Sequence, residues 1–271
     1  MKGIYLLKAG GSTIGDEEGM DRLAAEVAGI AGPGTGAVIV HGGGPAISAE
    51  MERRGMVPRK VGGVRVTDAA VLEVAEEVLR DINDRLVERL AAASVLAMGC
   101  AAYVFTVCTR KAACTVVEEG IEITADLGLV GEVDTVDREA LHRLLDAGIV
   151  PVIYPIGRDE RGGKLNINAD TMAAGIAAGI GCSEMIAITD VPGVLMDVGD
   201  PSSKLDRLTL AEVDGLIASG VISGGMLPKV EACRNALEAG VEAVRMVDGR
   251  SGKGMMADVL KGEPIGTVIV R

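Results

Sequence analysis

Lys8 and Lys229 stand near opposite ends of the chain, each beside a glycine-rich stretch, with Asn166–Ile–Asn–Ala–Asp170 between them. Two ammonium groups flanking a phosphoryl group would stabilise the charge on its oxygens during transfer, and a carboxylate between them would hold both in place. Such a reaction asks little covalent chemistry of the protein, so the residues must supply positioning and charge. A lysine in a glycine loop is by default a solvated surface charge. Two of them, each at a ligand-facing strand end, make that default harder to keep. Asn166 and Asn168 do not favour a helix interior, but their side chains can reach a ligand or the backbone of their own loop. Asp170 is expected to open a helix, because Met172, Ile176 and Ile180 recur at four-residue spacing and suit one buried face.

The elements that position these groups follow from periodicity. Ile4–Leu7 reads as a buried strand running into Lys8–Ala–Gly10–Gly11, and Ala37–Val40 as a second running into His41–Gly–Gly–Gly–Pro45. Glycines at a strand's carboxyl end let backbone N–H groups approach an anion with no Cβ in the way. The spacing is not that of a Walker A loop. Gly55–Val66 reads as a hairpin, and Thr67 or Asp68 caps a long helix with a buried stripe of Val71, Val74, Val78, Ile82, Leu86 and Leu90. Arg65 precedes that helix, well placed for an anionic group, although a surface arginine is the default. Ala102–Cys108, Thr115–Val117 and Ile121–Ile123 read as strands. Val150–Pro155 and Met185–Thr189 are further buried strands, the latter ending in Asp190–Leu195. Thr209 and Glu212 form a capping box, Lys229 opens a helix through Val230, Cys233 and Leu237, and Ala243–Val247 and Thr267–Val270 supply the last strands. Repeated β-loop-α units imply an α/β protein with a mainly parallel sheet and its functional loops at the strands' carboxyl ends. With no linker composition and no internal repeat, residues 1–271 are expected to form a single domain.

Bulk properties exclude several classes. The chain has 271 residues, 48% of them hydrophobic, so a substantial core is available. No apolar run approaches the roughly 20 residues of a membrane span, and the start does not read as a signal peptide; a cytoplasmic protein with no membrane partner is expected. A net charge of −12 without a basic stripe argues against nucleic acid. Five cysteines without metal spacing read as buried free thiols, and two histidines are too few for a histidine-built metal site.

Six motifs occur in one order: Lys8–x–Gly10–Gly11, His41–Gly–Gly–Gly–Pro45, Gly63–Val–Arg–Val–Thr–Asp68, Asn166–Ile–Asn–Ala–Asp170, Thr189–Asp–Val–Pro–Gly–Val194 and Gly224–Gly–Met–Leu–Pro–Lys229. Together they resemble the N-acetylglutamate kinases of the amino acid kinase family, over nearly the whole chain. The resemblance implies an open αβα sandwich whose N-terminal lobe, about 1–165, binds the acyl substrate and whose C-terminal lobe, about 166–271, binds the nucleotide. It implies transfer of the ATP γ-phosphoryl to the side-chain carboxylate of N-acetyl-L-glutamate, giving an acyl phosphate in arginine biosynthesis. Carried over position by position, Lys8 and Lys229 resemble the pair that neutralises the transferring phosphoryl, and Asp170 the aspartate that orients both. Gly43 and Gly44 resemble backbone donors to the acyl substrate, Arg65 the clamp on its α-carboxylate, and Asn166 a ligand of the same molecule. Gly10 and Gly11 resemble phosphate contacts. Asp190, Val191, Pro192, Gly193, Val194 and Leu195, with Val221, Ile222 and Ser223, resemble the nucleotide-binding segments. Magnesium is expected to arrive with ATP, held by phosphates, with no dedicated carboxylate cage in the protein.

Three departures from the family pattern stand out. Phe105–Thr–Val–Cys–Thr–Arg–Lys111 replaces a glycine-rich stretch, a histidine common after Asp-Gly-Arg is replaced around Gly252–Lys253, and the chain begins at its first strand. From the last of these a homodimer without arginine feedback is expected. Two other readings remain: a kinase for carrier-protein-linked 2-aminoadipate or glutamate, against which the −12 charge and Val66 argue, and a non-catalytic nucleotide or amino-acid sensor on the same scaffold.

Overall fold

The computed structural model of the protein describes residues 3–11, 13–31, 34–118, 121–250 and 254–271. In chain order, β1 (Gly3–Ala9) leads to α1 (Glu17–Ile30), β2 (Thr35–His41) to α2 (Gly44–Arg53), and the hairpin of β3 (Lys60–Val61) and β4 (Val64–Arg65) to α3 (Ala69–Ala92). There follow β5 (Ala97–Ala101), β6 (Thr106–Arg110), β7 (Cys114–Glu118), β8 (Ile121–Ala125), β9 (Val130–Val136), α4 (Arg138–Asp146), β10 (Val150–Tyr154), β11 (Ile156–Arg158) and β12 (Lys164–Ile167). The remainder comprises α5 (Ala169–Ile180), β13 (Glu184–Thr189), β14 (Arg207–Thr209), α6 (Leu210–Ala218), α7 (Leu227–Glu238), β15 (Ala243–Asp248), α8 (Met255–Lys261) and β16 (Thr267–Val270).

The main sheet runs β14-β16-β15-β13-β1-β2-β10-β5, parallel throughout except where β15 meets β16. β1 shows why both faces need helices. Its side chains alternate, so Ile4 and Leu6 join one core with α4, α5 and α7, while Leu7 and Ala9 join another with α1, α3 and α8. The α/β architecture with a mainly parallel central sheet is therefore the observed one. Lys8 pairs in register with Ala187 of β13 and Val40 of β2, which brings the loops after β1, β2 and β13 together at one edge.

A second sheet, β11-β12-β9-β6, packs on α5. The small residues of α5 make this possible: a Cβ at Gly175 would lie 2.7 Å from Val133 Cβ, and one at Gly179 2.6 Å from Val136 Cβ. Among the described residues, no helix is long and apolar enough to cross a membrane.

Several local readings change. The stretch from Ala102 is not one strand: β5 ends at Ala101, a 3₁₀ turn spans Ala102–Val104, and Phe105 N–H donates to Ala102 O at 2.9 Å before β6 resumes. The chain must turn there because β5 pairs with β10 in the main sheet and β6 with β9 in the other. Asp68 caps α3, accepting from Val71 N–H at 2.8 Å. Helix α8 carries no signal the periodicity picked out; Glu26, buried on α1, holds its start by accepting from Gly254 and Met256 N–H, each at 2.7 Å. The departure around Gly252–Lys253 lies outside the described residues.

Candidate active site

The opening of α5 is set by an asparagine. Asn168 Oδ1 accepts from Asp170 N–H at 2.8 Å and Thr171 N–H at 3.2 Å, so Asn168 is the N-cap and Asp170 the second helical residue. The expectation that Asp170 opens the helix is corrected, with a chemical consequence. Relieved of capping, its carboxylate reaches out to Lys8, Oδ1 lying 2.8 Å from Nζ.

A cavity of about 270 Å³ begins at this pair. Lys8, Gly10, Gly11, Gly43, Gly44, Arg65, Asn166 and Asp170 all line it, drawn from four separate stretches of chain. Gly11 is tied to the loop after β2 by contact: a Cβ there would sit 2.7 Å from Pro45 Cδ. Helix α2 starts at Gly44 with no side-chain cap on Gly43; Pro45 has no N–H and Ile47 N–H is spent on Gly43 O, which leaves Gly44 N–H at the cavity.

Arg65 is not a surface residue. It is 7% exposed, with Nη2 donating to Gly44 O at 2.9 Å and Ser48 Oγ at 2.8 Å, and Nη1 resting 3.1 Å from Met51 Sδ. All three partners are neutral, and burial lowers the guanidinium's pKa below its ordinary value. A buried cation held by dipoles, with no carboxylate partner among the described residues, has the chemistry to take an anion. Asn166 Nδ2 donates to Thr67 Oγ1 at 3.0 Å, and the Thr67 hydroxyl donates in turn to Arg65 O at 2.9 Å. Asn166 therefore has its carbonyl oxygen left to accept from a ligand.

The second lysine has a different partner from the one expected. Lys229 Nζ lies 2.5 Å from Asp190 Oδ1, whereas Asp170 pairs with Lys8. Topology explains the split. Asp190 follows β13, the sheet neighbour of β1, and meets the first turn of α7, whereas Asp170 rises from α5 beside Lys8. The two pairs are close: Asp170 and Pro228 line one 410 Å³ cavity, and Cys233, one turn beyond Lys229, is buried where the charges of Asp170 and Lys8 reach it. The hydrogen bond from Lys229 holds the Asp190 carboxyl below its usual pKa. Arg250, after β15, extends this group; its guanidinium donates to Asp190 O and its Nε to Asp248 Oδ1 at 3.0 Å. The sequence reading left Arg250 unassigned, though its position just past a strand's carboxyl end is the same signal that marked Lys8.

The remaining expected nucleotide residues divide. Asp190, Pro192 and Ser223 are exposed, and Val191, Leu195 and Val221 half-buried. Val194 is committed to the fold: its side chain is in the core, its N–H donates to Thr267 Oγ1 at 2.9 Å, and its carbonyl accepts from Leu205 N–H. Ile222 is likewise 2% exposed with its N–H spent on Leu216 O. Gly193, with φ of +136°, has no room for a Cβ, which would lie 2.4 Å from Thr267 Oγ1. These three residues shape the segments that the sequence marks for a nucleotide. Among the described residues no cluster of three or more His, Cys, Asp or Glu could hold a metal ion.

A model of the amino acid kinase family matches residues 3–248. The chain belongs to the amino acid kinase family. Its relatives include proteins named acetylglutamate kinase. That of Methanococcus aeolicus is 39% identical, covering 98% of this chain and 91% of the relative, and that of Azorhizobium caulinodans is 40% identical, covering 99% and 89%. The amino acid kinase fold recurs in N-acetylglutamate synthase from Neisseria gonorrhoeae complexed with coenzyme A and N-acetyl-glutamate, with a TM-score of 0.81 and 21% identity over 100% of this chain and 60% of that one.

Proposed function

We propose that this amino acid kinase phosphorylates the side-chain carboxylate of N-acetyl-L-glutamate with ATP, yielding an acyl phosphate and ADP, a step of arginine biosynthesis. Identity of about 40% to acetylglutamate kinases along nearly the full length of both chains carries this reading. The cavity supports it: an unneutralised guanidinium at one side, backbone N–H of the Gly43–Gly44 turn, and a lysine–aspartate pair at the other. Arg65 binds the substrate's α-carboxylate, Asn166 Oδ1 accepts from its amide N–H, and Gly43 and Gly44 donate to its oxygens. A side-chain carboxylate oxygen attacks the γ-phosphorus as the bond to the β–γ bridging oxygen breaks, and ADP takes that electron pair. Lys8 and Lys229 neutralise the transferring oxygens; Asp170 positions Lys8, and Asp190 positions Lys229. Gly10 and Gly11 face the phosphates, and Asp190–Leu195 with Val221–Ser223 form the nucleotide wall. Residues of about 1–165 hold the acyl substrate and about 166–271 the nucleotide. Magnesium would arrive with ATP, held by its phosphates, and would offset charge on the transferring group.

The protein acts as a cytosolic homodimer in this proposal. Its described cysteines are free thiols, the state of a reducing compartment. Strand β5, Ala-Met-Gly-Cys-Ala, ends the main sheet with an uncharged edge, and Leu96 beside it is 62% exposed. Hydroxylamine trapping of the acyl phosphate is expected with N-acetyl-L-glutamate and ATP, and not with aspartate, carbamate or a carrier-linked amino acid. A preference for any of those acceptors overturns the assignment, and light scattering at one chain's mass removes the dimer.

A further inference from the structure

His41 ends β2 immediately before the three glycines, and its ring is fully buried on the α3 side of the sheet. Its partners fix where its proton is. Asn83 Nδ2 lies 3.0 Å from Val152 O, a main-chain acceptor, so that end of the amide must be the NH₂ group. The second hydrogen of the same nitrogen faces His41 Nε2, also at 3.0 Å. Nε2 therefore presents its lone pair, the ring proton sits on Nδ1, and Nδ1–H donates to Gly42 O at 3.0 Å. Burial keeps the ring neutral against the weaker pull of the Gly42 carbonyl, with a pKa lowered to about 4.

Holding that carbonyl has a geometric result. The peptide joining Gly42 to Gly43 is trans, so its N–H points away from its C=O. With the carbonyl turned to the ring, Gly43 N–H is turned from the core, and among the described residues it has no acceptor, while Gly43 itself lines the substrate cavity. The same helix fixes the loop sterically: a Cβ at Gly43 would meet Ile82 Cδ1 at 2.9 Å and Leu79 Cδ2 at 3.0 Å. From the far side, Asn83 Oδ1 occupies the space over Gly99, where a Cβ would approach to 2.2 Å.

We propose that His41 and Asn83 are positioning residues: held as the Nδ1–H tautomer by the Asn83 amide, the His41 ring locks the Gly42–Gly43 peptide so that Gly43 N–H faces the acyl substrate. This rests on the function proposed above for the cavity but not for its test. The chain has two histidines, so in a His142→Gln background His41 is the sole ring, and ¹⁵N chemical shifts at pH 7 read its tautomer without any turnover. The expected result is a protonated Nδ1 and unprotonated Nε2, with that preference lost in Asn83→Leu. A predominant Nε2–H tautomer, or a tautomer unchanged in Asn83→Leu, overturns the proposal. Kinetics test the second half. Asn83→Leu and His41→Phe are expected to raise KM for the acyl acceptor about tenfold while KM for ATP stays within twofold. Gly99→Ala, which presses Asn83 from the other side, is expected to do the same. An equal rise in both KM values marks a merely structural role and refutes the positioning. Failure of the wild type to phosphorylate N-acetyl-L-glutamate removes the function proposed for the cavity and leaves the tautomer assignment standing.

Discussion

The two sides of the crevice handle charge in opposite ways. Around Arg65 the protein surrounds a buried guanidinium with neutral dipoles, from Gly44, Ser48 and Met51, and leaves its charge uncompensated. Around Lys229 it places a carboxylate directly on the cation, with Asp190 itself 55% exposed and Arg250 against its backbone. A preformed, unneutralised site binds a fixed anion with little rearrangement. A cation resting on an exposed carboxylate can exchange that partner for a phosphate, because water screens the pair it leaves.

The largest effects should come from the lysines. Lys8→Ala and Lys229→Ala are each expected to lower kcat about a thousandfold, since each removes charge from the developing transition state; single-turnover acyl phosphate formation measures this, and a loss under tenfold breaks the proposed pairing. Next comes Arg65→Met, which keeps the side-chain volume and removes the charge. Its KM for the acyl acceptor should rise about a hundredfold with the ATP KM unmoved, as expected when a charge-assisted carboxylate contact is lost.

A pH series separates the two sides through stability. His41 has a folded pKa of about 4 against an ordinary 6.5, so below pH 6.5 the unfolded chain takes up a proton that the folded ring refuses. Its contribution is complete above pH 6.5 and is lost as pH falls, by about 2 kcal/mol at pH 5. Urea midpoints at pH 7 and pH 5 should show this in the wild type and not in His41→Phe. Asp190 runs the usual carboxylate way, its contribution present above the unfolded pKa and lost as pH falls through the lowered folded value. Being exposed, it should move the midpoint little. The smallest effect is expected for Asp190→Asn, a change in kcat of a few-fold that shrinks with added salt. A loss of about a thousandfold there would show that Asp190 is as necessary as Lys229 itself, and the contrast between the two sides would collapse.

Motif order, and the placement of the Lys8, His41 and Thr189 motifs at strand ends, were legible in the sequence. β1, β2 and β13 are short, largely apolar runs followed by glycine or aspartate, and local chemistry decides such elements. The capping box at Thr209 and Glu212 and the buried stripe of α5 were legible for the same reason. Arg65 was not: its exposure depends on Gly44, Ser48 and Met51, which reach it through the fold and not through spacing.

What the amino-acid sequence determined by itself was the set of elements, their α/β order, and which charged residues stand at strand ends, because these follow from periodicity and backbone chemistry within a few positions. Tertiary structure decided which carboxylate each lysine meets, since Asp190 follows β13 while Lys229 lies on α7, which packing against α5 and β15 brings to it. It decided that Asn168 caps α5 so that Asp170 is left for Lys8. It also decided that Asn83, 42 residues from His41, sets the proton on its ring. A side chain's charge is a property of its type, but its partner is a property of packing.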